Sequence, residues 1–393
     1  MARRKVVIVG GGIAGASAAY FLAREHGVQV TLVERDRQPG THATGRNASI
    51  LRTAMNDPVL HALARASADF YRSPPPGFAA RALLAPVGTW ICATAEAAAG
   101  LAAWTDDPAC ATGVAEAPLE RLRAVYPALA DGVARCWLHA GDGTLDVPAV
   151  LDGFLAGARE AGADFALAAR VLGLMRDENG AVRGVSVLAQ GSAAPEELAA
   201  DAVLLAGGGW AAEPAGAAGL PLPLRPMRRH IAVTAPIPDV PPGGPVVWIV
   251  GEEFYFRPEG GGLLVSACDE DEVDPAQGER AEAAVAGEIA RKLRRWLPRW
   301  ADAPVARFWA AMRTFAPDHR FVLGPDPRAE GLYWAAALGG HGITCAPAAG
   351  RIAAAWAAGS APAHPHAADL LPERLFTARV RAAITPSAAS LRG

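Results

Sequence analysis

The 393-residue sequence predicts an α/β domain built on a parallel sheet and an α+β domain built on an antiparallel sheet. This length exceeds one ordinary hydrophobic core, and a hydrophobic content of 51% can fill two. Buried-strand patterns run into glycine-rich turns near the start, middle and end of the chain, at residues 5–15, 202–210 and 332–344. Short strands between Pro and Gly turns, typical of antiparallel sheets, separate these segments. The α/β domain is therefore expected to be discontinuous.

The first element is a strand over residues 5–9 that runs into a glycine turn and then a helix. Gly10 permits the tight turn, Gly12 lets the backbone approach a pyrophosphate, and Gly15 lets the helix pack closely on the strand. The helix N-terminus offers unpaired N–H groups to phosphates. Glu34 ends the second strand 19 residues after Gly15, the position of an acid that holds a ribose hydroxyl. The unit predicts a Rossmann-type dinucleotide site.

Hydrophobic periodicity and turn residues predict the remaining elements. A functional loop spans residues 37–56, and helices are expected at 59–71, 95–104, 119–125, 147–161, 280–296 and from 344 to about 358. Strands are expected at 28–33, 87–94, 164–174, 181–188, 202–206, 230–234, 246–250, 253–257, 262–266, 305–316 and 332–337. We predict a dinucleotide domain of residues 1–77, 141–221 and 316–375, a substrate domain of 78–140 and 222–315, and a peripheral tail of 376–393.

Composition excludes several classes of function. A net charge of -3 provides no basic field for nucleic acid or anionic lipid. No apolar run is long enough to span a membrane, and the N-terminal apolar segment belongs to the nucleotide unit rather than to a signal peptide. Five widely spaced cysteines without a CxxC pair indicate neither structural zinc nor a redox dithiol. We expect a cytoplasmic protein without a metal.

An ordered set of stretches resembles the D-amino-acid oxidase / glycine oxidase / sarcosine oxidase superfamily of flavoenzymes, with D-arginine dehydrogenase-like enzymes as the most similar branch. The set covers the chain from residue 1 to about 358. It comprises Gly10–Gly15 with Glu34 and Arg35, and residues 38–49, 142–146, 206–210, 225–229, 253–258, 309–315 and 338–344.

The resemblance implies FAD as cofactor. No cysteine lies within residues 313–318, where sarcosine oxidases attach their flavin, so we expect the FAD to be dissociable. Backbone at Val171 is implied to contact the adenine, and the turn before the last helix is implied to lie at the flavin N1/C2=O locus. The implied cofactor-binding residues are Gly10, Gly12, Ile13, Ala14, Gly15, Glu34, Arg35, His42, Thr44, Gly45, Arg46, Asn47, Ala48, Ser49, Val171, Ala206, Gly207, Gly208, Trp210, Gly339, Gly340, His341, Gly342, Ile343 and Thr344.

The resemblance also implies oxidative deamination of an amino acid or secondary amine, with hydride passing to flavin N5 and the imine hydrolysing to a keto acid. Orientation is the main task of the protein, and a guanidinium suits it because it binds a carboxylate bidentately. Arg313 and Tyr255 match the family's carboxylate clamp, and His341 is a candidate proton acceptor. Further substrate-binding candidates are Arg229, Arg52, Gly340 and Thr344.

Two departures from the D-arginine branch bear on the substrate. Ile50 and Leu51 stand where that branch has histidine and tyrosine, and Thr89 stands where it has an acid for the substrate guanidinium. A basic side chain would lose its counter-charge there, which costs several kcal/mol. We therefore predict weak or absent activity on D-Arg and D-Lys, and expect a neutral D-amino acid or an N-substituted amino acid as substrate.

Two alternatives stay open at this point. A 2-hydroxy-acid dehydrogenase of the same superfamily would use a similar clamp and would gain from a histidine base, because an alcohol must lose a proton as hydride leaves. A flavin-binding protein without turnover is the second alternative. The electron acceptor, oxygen or a quinone, is not determined by the sequence.

Overall fold

The computed structural model describes residues 3–376, and a six-stranded sheet lies at its centre. In spatial order β20-β21-β13-β1-β2-β9, its strands are β20 (Val322–Pro325), β21 (Leu332–Ala336), β13 (Ala202–Leu205), β1 (Lys5–Val9), β2 (Gln29–Val33) and β9 (Asp164–Ala166), numbered in chain order. All neighbours are parallel except β20, which runs antiparallel to β21. Strands from three distant parts of the sequence therefore form one sheet, as a discontinuous domain requires.

Both faces of this parallel sheet are covered, which explains why its strands are almost continuously apolar. One face packs against helices α1 (Ile13–Glu25), α2 (Pro58–Arg72), α6 (Val147–Glu160) and α9 (Gly342–Ala358). Two of these helices begin at an aspartate followed within two residues by proline. Asp57 accepts hydrogen bonds from the N–H groups of Val59 and Leu60, and Asp146 accepts one from Ala149.

The opposite face is covered by a three-stranded antiparallel sheet of β10 (Ala169–Arg176), β11 (Val182–Ala189) and β12 (Glu196–Ala199), with helix α7 (Ala212–Ala217) beside it. The single strand expected at residues 164–174 is two strands. Ala168 adopts a left-handed conformation with φ of +51°, which ends β9 and turns the chain into the second sheet. An alanine at positive φ is uncommon, so the composition of the segment does not reveal the break.

A nine-stranded sheet forms the second half of the molecule. Its spatial order is β18 (Asp271–Glu272), β14 (Arg225–Thr234), β17 (Gly262–Ser266), β16 (Phe254–Glu259), β15 (Val246–Val250), β5 (Thr89–Ala93), β7 (Arg135–His139) and β6 (Val114–Glu116), with β19 (Val305–Phe315) also paired to β14. The sheet is antiparallel apart from one junction. There β15 runs parallel to β5, and this pair joins the strands of the two predicted substrate-domain segments.

Four helices belong to the segments around this large sheet: α3 (Ala98–Thr105), α4 (Pro108–Ala111), α5 (Leu119–Val125) and α8 (Ala283–Trp296). A further small sheet, in the order β3-β8-β4, consists of β3 (Ile50–Leu51), β8 (Gly143–Leu145) and β4 (Leu84–Ala85). It fixes the loop that precedes α2. The domain boundaries at residues 78, 141, 222 and 316 stay a prediction.

After α9 the chain forms two short 3-10 helices, Ala368–Leu370 and Pro372–Phe376, whose leucines Leu370 and Leu375 are fully buried. All but the first residue of the predicted tail 376–393 lies outside the described residues. Within residues 3–376, no helix is both long enough and apolar enough to cross a bilayer.

Candidate active site

A cavity of about 510 Å³ lies between the parallel sheet and one face of the large sheet. The carboxyl ends of four parallel strands open into it, at Val9, Val33, Leu205 and Ala336. Strand β2 pairs with β1 on one side and the later strand β13 pairs with β1 on the other, so the strand order reverses at β1. α/β sheets bind ligands at such a switch point. The fold therefore places a ligand site where the glycine turn lies.

The glycine turn is built by contacts that exclude side chains. Gly10 has φ of +111°, and a Cβ atom there would lie 2.7 Å from the carbonyl oxygen of Ala206. A Cβ atom at Gly15 would lie 1.9 Å from the carbonyl oxygen of Gly10, so Gly15 does not line the cavity but lets α1 pack against the turn. Gly12 lines the cavity and precedes α1 without a side-chain cap. Part of the α1 N-terminus stays available to an anion.

Glu34 is held at the end of β2 by two backbone N–H groups. Its carboxylate accepts hydrogen bonds from Gly11 N at 2.7 Å and Asp36 N at 2.9 Å. The side chain is 7% exposed and lines the cavity. Each carboxylate oxygen has a further lone pair, so the group can also accept from a ribose hydroxyl.

Aromatic and cationic side chains enclose the same end of the cavity. The Arg35 guanidinium stacks on Trp210 with its central carbon 3.8 Å from the ring centroid, and His42 lies 4.7 Å from the same ring. His42 bonds to Arg35 at 2.7 Å and to Glu279 at 2.8 Å, which fits a hydrogen-bonding rather than a catalytic part. Val171, on β10, lines the cavity beside them.

The loop at residues 43–49 closes over the centre of the cavity. Thr44 accepts a hydrogen bond from Ile13 N at 3.0 Å and so satisfies one N–H group of α1. Ser49 has a left-handed φ of +56°, held by a 2.5 Å hydrogen bond from its N–H to Asn47 Oδ1. Such strain persists where surrounding structure enforces it, often at functional sites. Ala48 also faces the cavity, and its carbonyl accepts from Arg257 at 2.6 Å.

Two predicted members of this loop lie outside the cavity wall. A Cβ atom at Gly45 would lie 2.7 Å from the carbonyl oxygen of Gly40, so Gly45 has a packing function. Arg46 turns away from the cavity, donates to the carbonyl of Ala310 and pairs with Glu279 at 3.2 Å. Either residue can support a cofactor only through the loop that it stabilises.

A second helix N-terminus faces the cavity beside that of α1, since Gly342, the first residue of α9, lies close to Ile13. The turn before α9 contains Gly339 with φ of +51°, where a Cβ atom would meet the Phe315 ring at 2.7 Å. No side chain caps α9, which leaves the first N–H groups of the helix open toward the cavity. Thr344 donates its hydroxyl to the carbonyl of Ile50 at 3.2 Å and fixes the helix to the loop. The geometry suits an electron-rich ring edge.

One face of the large sheet forms the other wall. Register places Tyr255 opposite Trp248, Thr89 opposite Val246, and Met227 opposite Arg313. Because side chains alternate along a strand, Arg229 shares the face of Met227. The side chains that this face presents to the cavity are Thr89, Val246, Trp248, Tyr255, Arg229 and Arg313.

Arg313 is a buried cation without a carboxylate partner. It is 8% exposed, and its only hydrogen bond among residues 3–376 goes to the carbonyl of Met312 at 3.3 Å. Burial lowers the pKa of Arg313, and the charge of Arg229 lowers it further. Burial raises the pKa of the neighbouring Tyr255, which therefore keeps its hydroxyl proton. A guanidinium and a phenol thus face the cavity as donors.

Arg229 already has partners. Its Nε donates to the carbonyl of Asp269 at 2.8 Å, and its guanidinium forms an ion pair with Glu270. Burial disfavours the charge, but Cys268, Tyr255 and Glu270 outweigh that effect and the pKa of Arg229 is raised. Asp269 is itself fixed by the fully buried His230, at 2.6 Å. Arg229 is therefore a permanently charged and rigidly held neighbour of Arg313.

Arg52 enters the cavity from strand β3 and its flank. Alternation along residues 50–52 directs Ile50 and Arg52 into the cavity and Leu51 into the hydrophobic core. Arg52 lies over Trp248 with 4.3 Å between guanidinium carbon and ring centroid. Shielding from bulk solvent lowers its pKa to about 10, so it stays charged at neutral pH. Leu51, expected to bind substrate, is instead fully buried.

His341 lies among three guanidinium groups. Burial and the charges of Arg52, Arg229 and Arg313 lower the pKa of His341 to about 3. The imidazole is therefore neutral at physiological pH and a weak base. Gly340 beside it has open space around its Cα, so the cavity reaches the backbone there.

Sequence analysis missed several cavity residues, among them Trp248, Glu270 and Cys268. The alternation within the predicted strand 246–250 could have grouped Trp248 with Val246, but not with Tyr255 on the next strand. Burial raises the pKa of Cys268 to about 11, so the thiol stays protonated. Among residues 3–376, no cluster of His, Cys, Asp or Glu could hold a metal ion.

The residues present fit FAD. A glycine turn without side chains and an acid held by backbone N–H groups suit its dinucleotide. The partly open N-terminus of α1 suits its pyrophosphate, and the uncapped N-terminus of α9 suits the electron-rich edge of its flavin. The ion-pair-free guanidinium of Arg313, in the same cavity, suits a carboxylate. A Rossmann-type sheet beside such a clamp defines a flavin-dependent oxidoreductase.

A family model described as FAD dependent oxidoreductase (DAO) matches residues 5–356, and the chain belongs to this family. The chain is 29% identical over 378 residues to 4-methylaminobutanoate oxidase (formaldehyde-forming) of Paenarthrobacter nicotinovorans, covering 91% of this chain but only 44% of that longer protein. It is 28% identical over 369 residues to glycine oxidase of Pseudomonas aeruginosa, covering 91% of this chain and 96% of the relative.

The fold is that of solved members. L-Proline dehydrogenase from P. horikoshii superposes with a TM-score of 0.83 at 21% identity, covering 95% of this chain and 98% of that one. The predicted family, fold class and FAD dependence are confirmed by these comparisons. The hypothesis of a flavin-binding protein without turnover is set aside, because the relatives are oxidoreductases.

Proposed function

We propose that this protein oxidises the carbon–nitrogen bond of a carboxylate-bearing amine, either an amino acid or a secondary amine. FAD, when bound, supplies the acceptor for a hydride. The substrate loses that hydride from its α-carbon and a proton from its nitrogen to water, and the resulting imine is hydrolysed. The D configuration and an N-substituted nitrogen, both expected from the sequence, belong to this proposal. The final electron acceptor, oxygen or a quinone, is to be measured.

The observation that carries the proposal is the unpaired charge of Arg313. A buried guanidinium without a counter-charge is costly, and a substrate carboxylate offsets that cost in the complex. Tyr255 keeps its proton and can donate to the same carboxylate. The two groups would hold the substrate in one orientation, which is the main requirement of direct hydride transfer.

Amine oxidation is favoured over oxidation of a 2-hydroxy acid by the state of His341. A neutral amine can lose hydride without prior deprotonation, whereas an alcohol must give up its proton as the hydride leaves. With a pKa of about 3, His341 is a poor acceptor for that proton. Tyr255 and Cys268 also keep their protons, since burial raises the pKa of both.

Basic amino acids are disfavoured as substrates. Thr89 is 1% exposed, and its hydroxyl donates to the carbonyl of Leu51 at 3.4 Å. It offers no charge to a substrate guanidinium or ammonium, while three arginines of the protein repel one. Weak activity on D-Arg and D-Lys thus stays our prediction, now on electrostatic grounds as well.

Anaerobic mixing of the FAD-loaded protein with matched amine and hydroxy acids tests the proposal. Bleaching of the flavin absorbance by an amino acid, and not by its 2-hydroxy analogue, is the expected result. Bleaching only by hydroxy acids would overturn it. Enantiomer pairs in the same assay test the stereochemistry, and re-oxidation by air against a soluble quinone identifies the acceptor.

A further inference from the structure

We propose that the substrate carries two carboxylates, one held by Arg313 with Tyr255 and the other by Arg52. The substrate class is then an aminodicarboxylate, with the oxidised C–N bond between the two anchors. The inference rests on the proposed function and names its substrate class.

Two guanidinium groups of the cavity have no counter-ion among the described residues. Three arginines line the substrate end of the cavity, and only Arg229 has a carboxylate partner. Arg52 forms neither a hydrogen bond nor an ion pair within residues 3–376, and its one contact of note is the Trp248 ring. Arg313 bonds only to a neighbouring carbonyl. One substrate carboxylate cannot neutralise two such groups unless they converge on it.

The two unpaired cations do not converge on one point of the cavity. Arg313 is carried by β19, whereas Arg52 lies over Trp248 of β15. Three strands, β14, β17 and β16, separate β19 from β15 in the large sheet, and neighbouring strands lie about 4.8 Å apart. Arg52 reaches the cavity from the small sheet, and Arg313 reaches it from the large sheet. The cavity therefore has two separate cationic anchors, Arg52 and Arg313.

The nearby acids do not neutralise Arg52. Asp142 is fully buried and accepts hydrogen bonds from the N–H and hydroxyl of Thr53, at 2.7 and 3.0 Å. Glu253 also lines the cavity but forms no ion pair with Arg52, and its exposed charge is largely screened by solvent. Glu270 is occupied by Arg229. A ligand carboxylate is the remaining charged partner, and it could accept a bidentate pair of hydrogen bonds from Arg52.

These observations revise the expected substrate. The neutral substrate was inferred from Ile50 and Leu51, but Leu51 lies in the core and Arg52 occupies the next cavity-facing position. Ile50 offers apolar surface for a short methylene spacer between the two carboxylates. An amine with a carboxymethyl substituent on nitrogen combines the required groups, and it agrees with the expected N-substitution.

The test compares iminodiacetate with N-ethylglycine, which has a methyl group in place of the second carboxylate. For the FAD-loaded wild-type protein we expect kcat/KM to be at least about tenfold higher for iminodiacetate, the ratio set by one charge-assisted hydrogen bond. In Arg52→Gln this preference should fall by about 10- to 100-fold, with partial rescue in Arg52→Lys. Arg307→Gln, at a side chain that is 61% exposed, is the matched control and should keep the preference.

Equal use of both amines by the wild-type protein would overturn the inference, as would equal losses for both amines in Arg52→Gln. Oxidation of monocarboxylate amino acids alone would also overturn it, while the proposed function would stand. If no amine bleaches the flavin, the proposed function itself fails. A second test needs no variant and compares inhibition of the wild-type protein by glutarate with its inhibition by butyrate. Glutarate should bind at least about tenfold more tightly, and equal inhibition constants would contradict the second anchor.

Discussion

Replacement of Arg313 by glutamine should separate activity from stability. The side chain is 8% exposed and donates within the protein only to the carbonyl of Met312, so most of its five donors are free for a ligand. Glutamine keeps a hydrogen-bond donor on a side chain of moderate length, but it removes the charge and the bidentate geometry. The substitution therefore tests the carboxylate clamp with little change in volume.

The magnitude follows from the bonds that are lost. Two charge-assisted hydrogen bonds to a carboxylate are each worth about 1.5–3 kcal/mol, and their loss corresponds to roughly 10²- to 10⁴-fold in kcat/KM. Arg313→Lys should fall in between, because it keeps the charge without the planar fork. The thermal stability of the variant, unlike its activity, should not decrease. Burial lowers the pKa of Arg313, so the folded state disfavours this charge, and its removal should leave the melting temperature unchanged or raise it.

The assay is steady-state oxidation of the best amine, together with thermal melting and flavin absorbance of the purified variant. Retained yellow colour and an unchanged melting temperature show that fold and cofactor are intact. A loss of less than tenfold in kcat/KM would refute the clamp. A sharply destabilised variant would refute the argument that the free protein holds this charge at a cost.

Three further predictions concern the cofactor and the pH dependence. Gly15→Ala should abolish FAD retention or folding, since its Cβ would lie 1.9 Å from the carbonyl oxygen of Gly10. Gly100→Ala is the control, because a Cβ atom there would have no neighbour within 4 Å. The ratio of absorbance at 450 nm to that at 280 nm should be the same for this control as for wild type. Glu34→Gln should weaken FAD binding about tenfold or more in apoprotein titrations, because its amide turns a donor toward Gly11 N or Asp36 N; unchanged affinity would contradict the assignment. His341 should not titrate in catalysis, so kcat/KM of wild type and His341→Gln should share one pH profile between about 5.5 and 8. The pKa of His341 falls from 6.5 to about 3 on folding, so between these two pH values the unfolded chain binds more protons than the folded chain. As the pH falls from 6.5 toward 3, the free energy of unfolding of wild type should therefore decrease relative to that of His341→Gln, by no more than about 1.4 kcal/mol per pH unit. Equal pH dependence of the two proteins in urea denaturation would contradict this prediction.

The parts that could be predicted from the sequence are those encoded locally. The glycine turn, Glu34 and the helix that begins at Gly342 follow from spacing within short segments. The arrangement of the large sheet does not, because the parallel pairing of β15 with β5 joins residues far apart in sequence. Thr89 and Val246 become neighbours only through that register.

The surroundings of Arg52 show the same limit more sharply. A two-residue strand such as β3 has no detectable periodicity, so the sequence does not indicate which of Ile50 and Leu51 faces the cavity. The missing counter-ion of Arg52 is likewise a property of the folded chain. It depends on Asp142 being occupied by Thr53 and on Glu253 being exposed to solvent.

The parallel sheet can be completed only late in the synthesis of the polypeptide. Strand β13 pairs with β1 on one side, but its other partner is β21, which begins only at Leu332. Until nearly all of the chain has been translated, one edge of β13 stays unpaired, and unpaired edges invite association with other chains. Truncated chains that end before Leu332 should therefore aggregate rather than form a smaller functional domain. Nascent chains of this enzyme are expected to depend on chaperones.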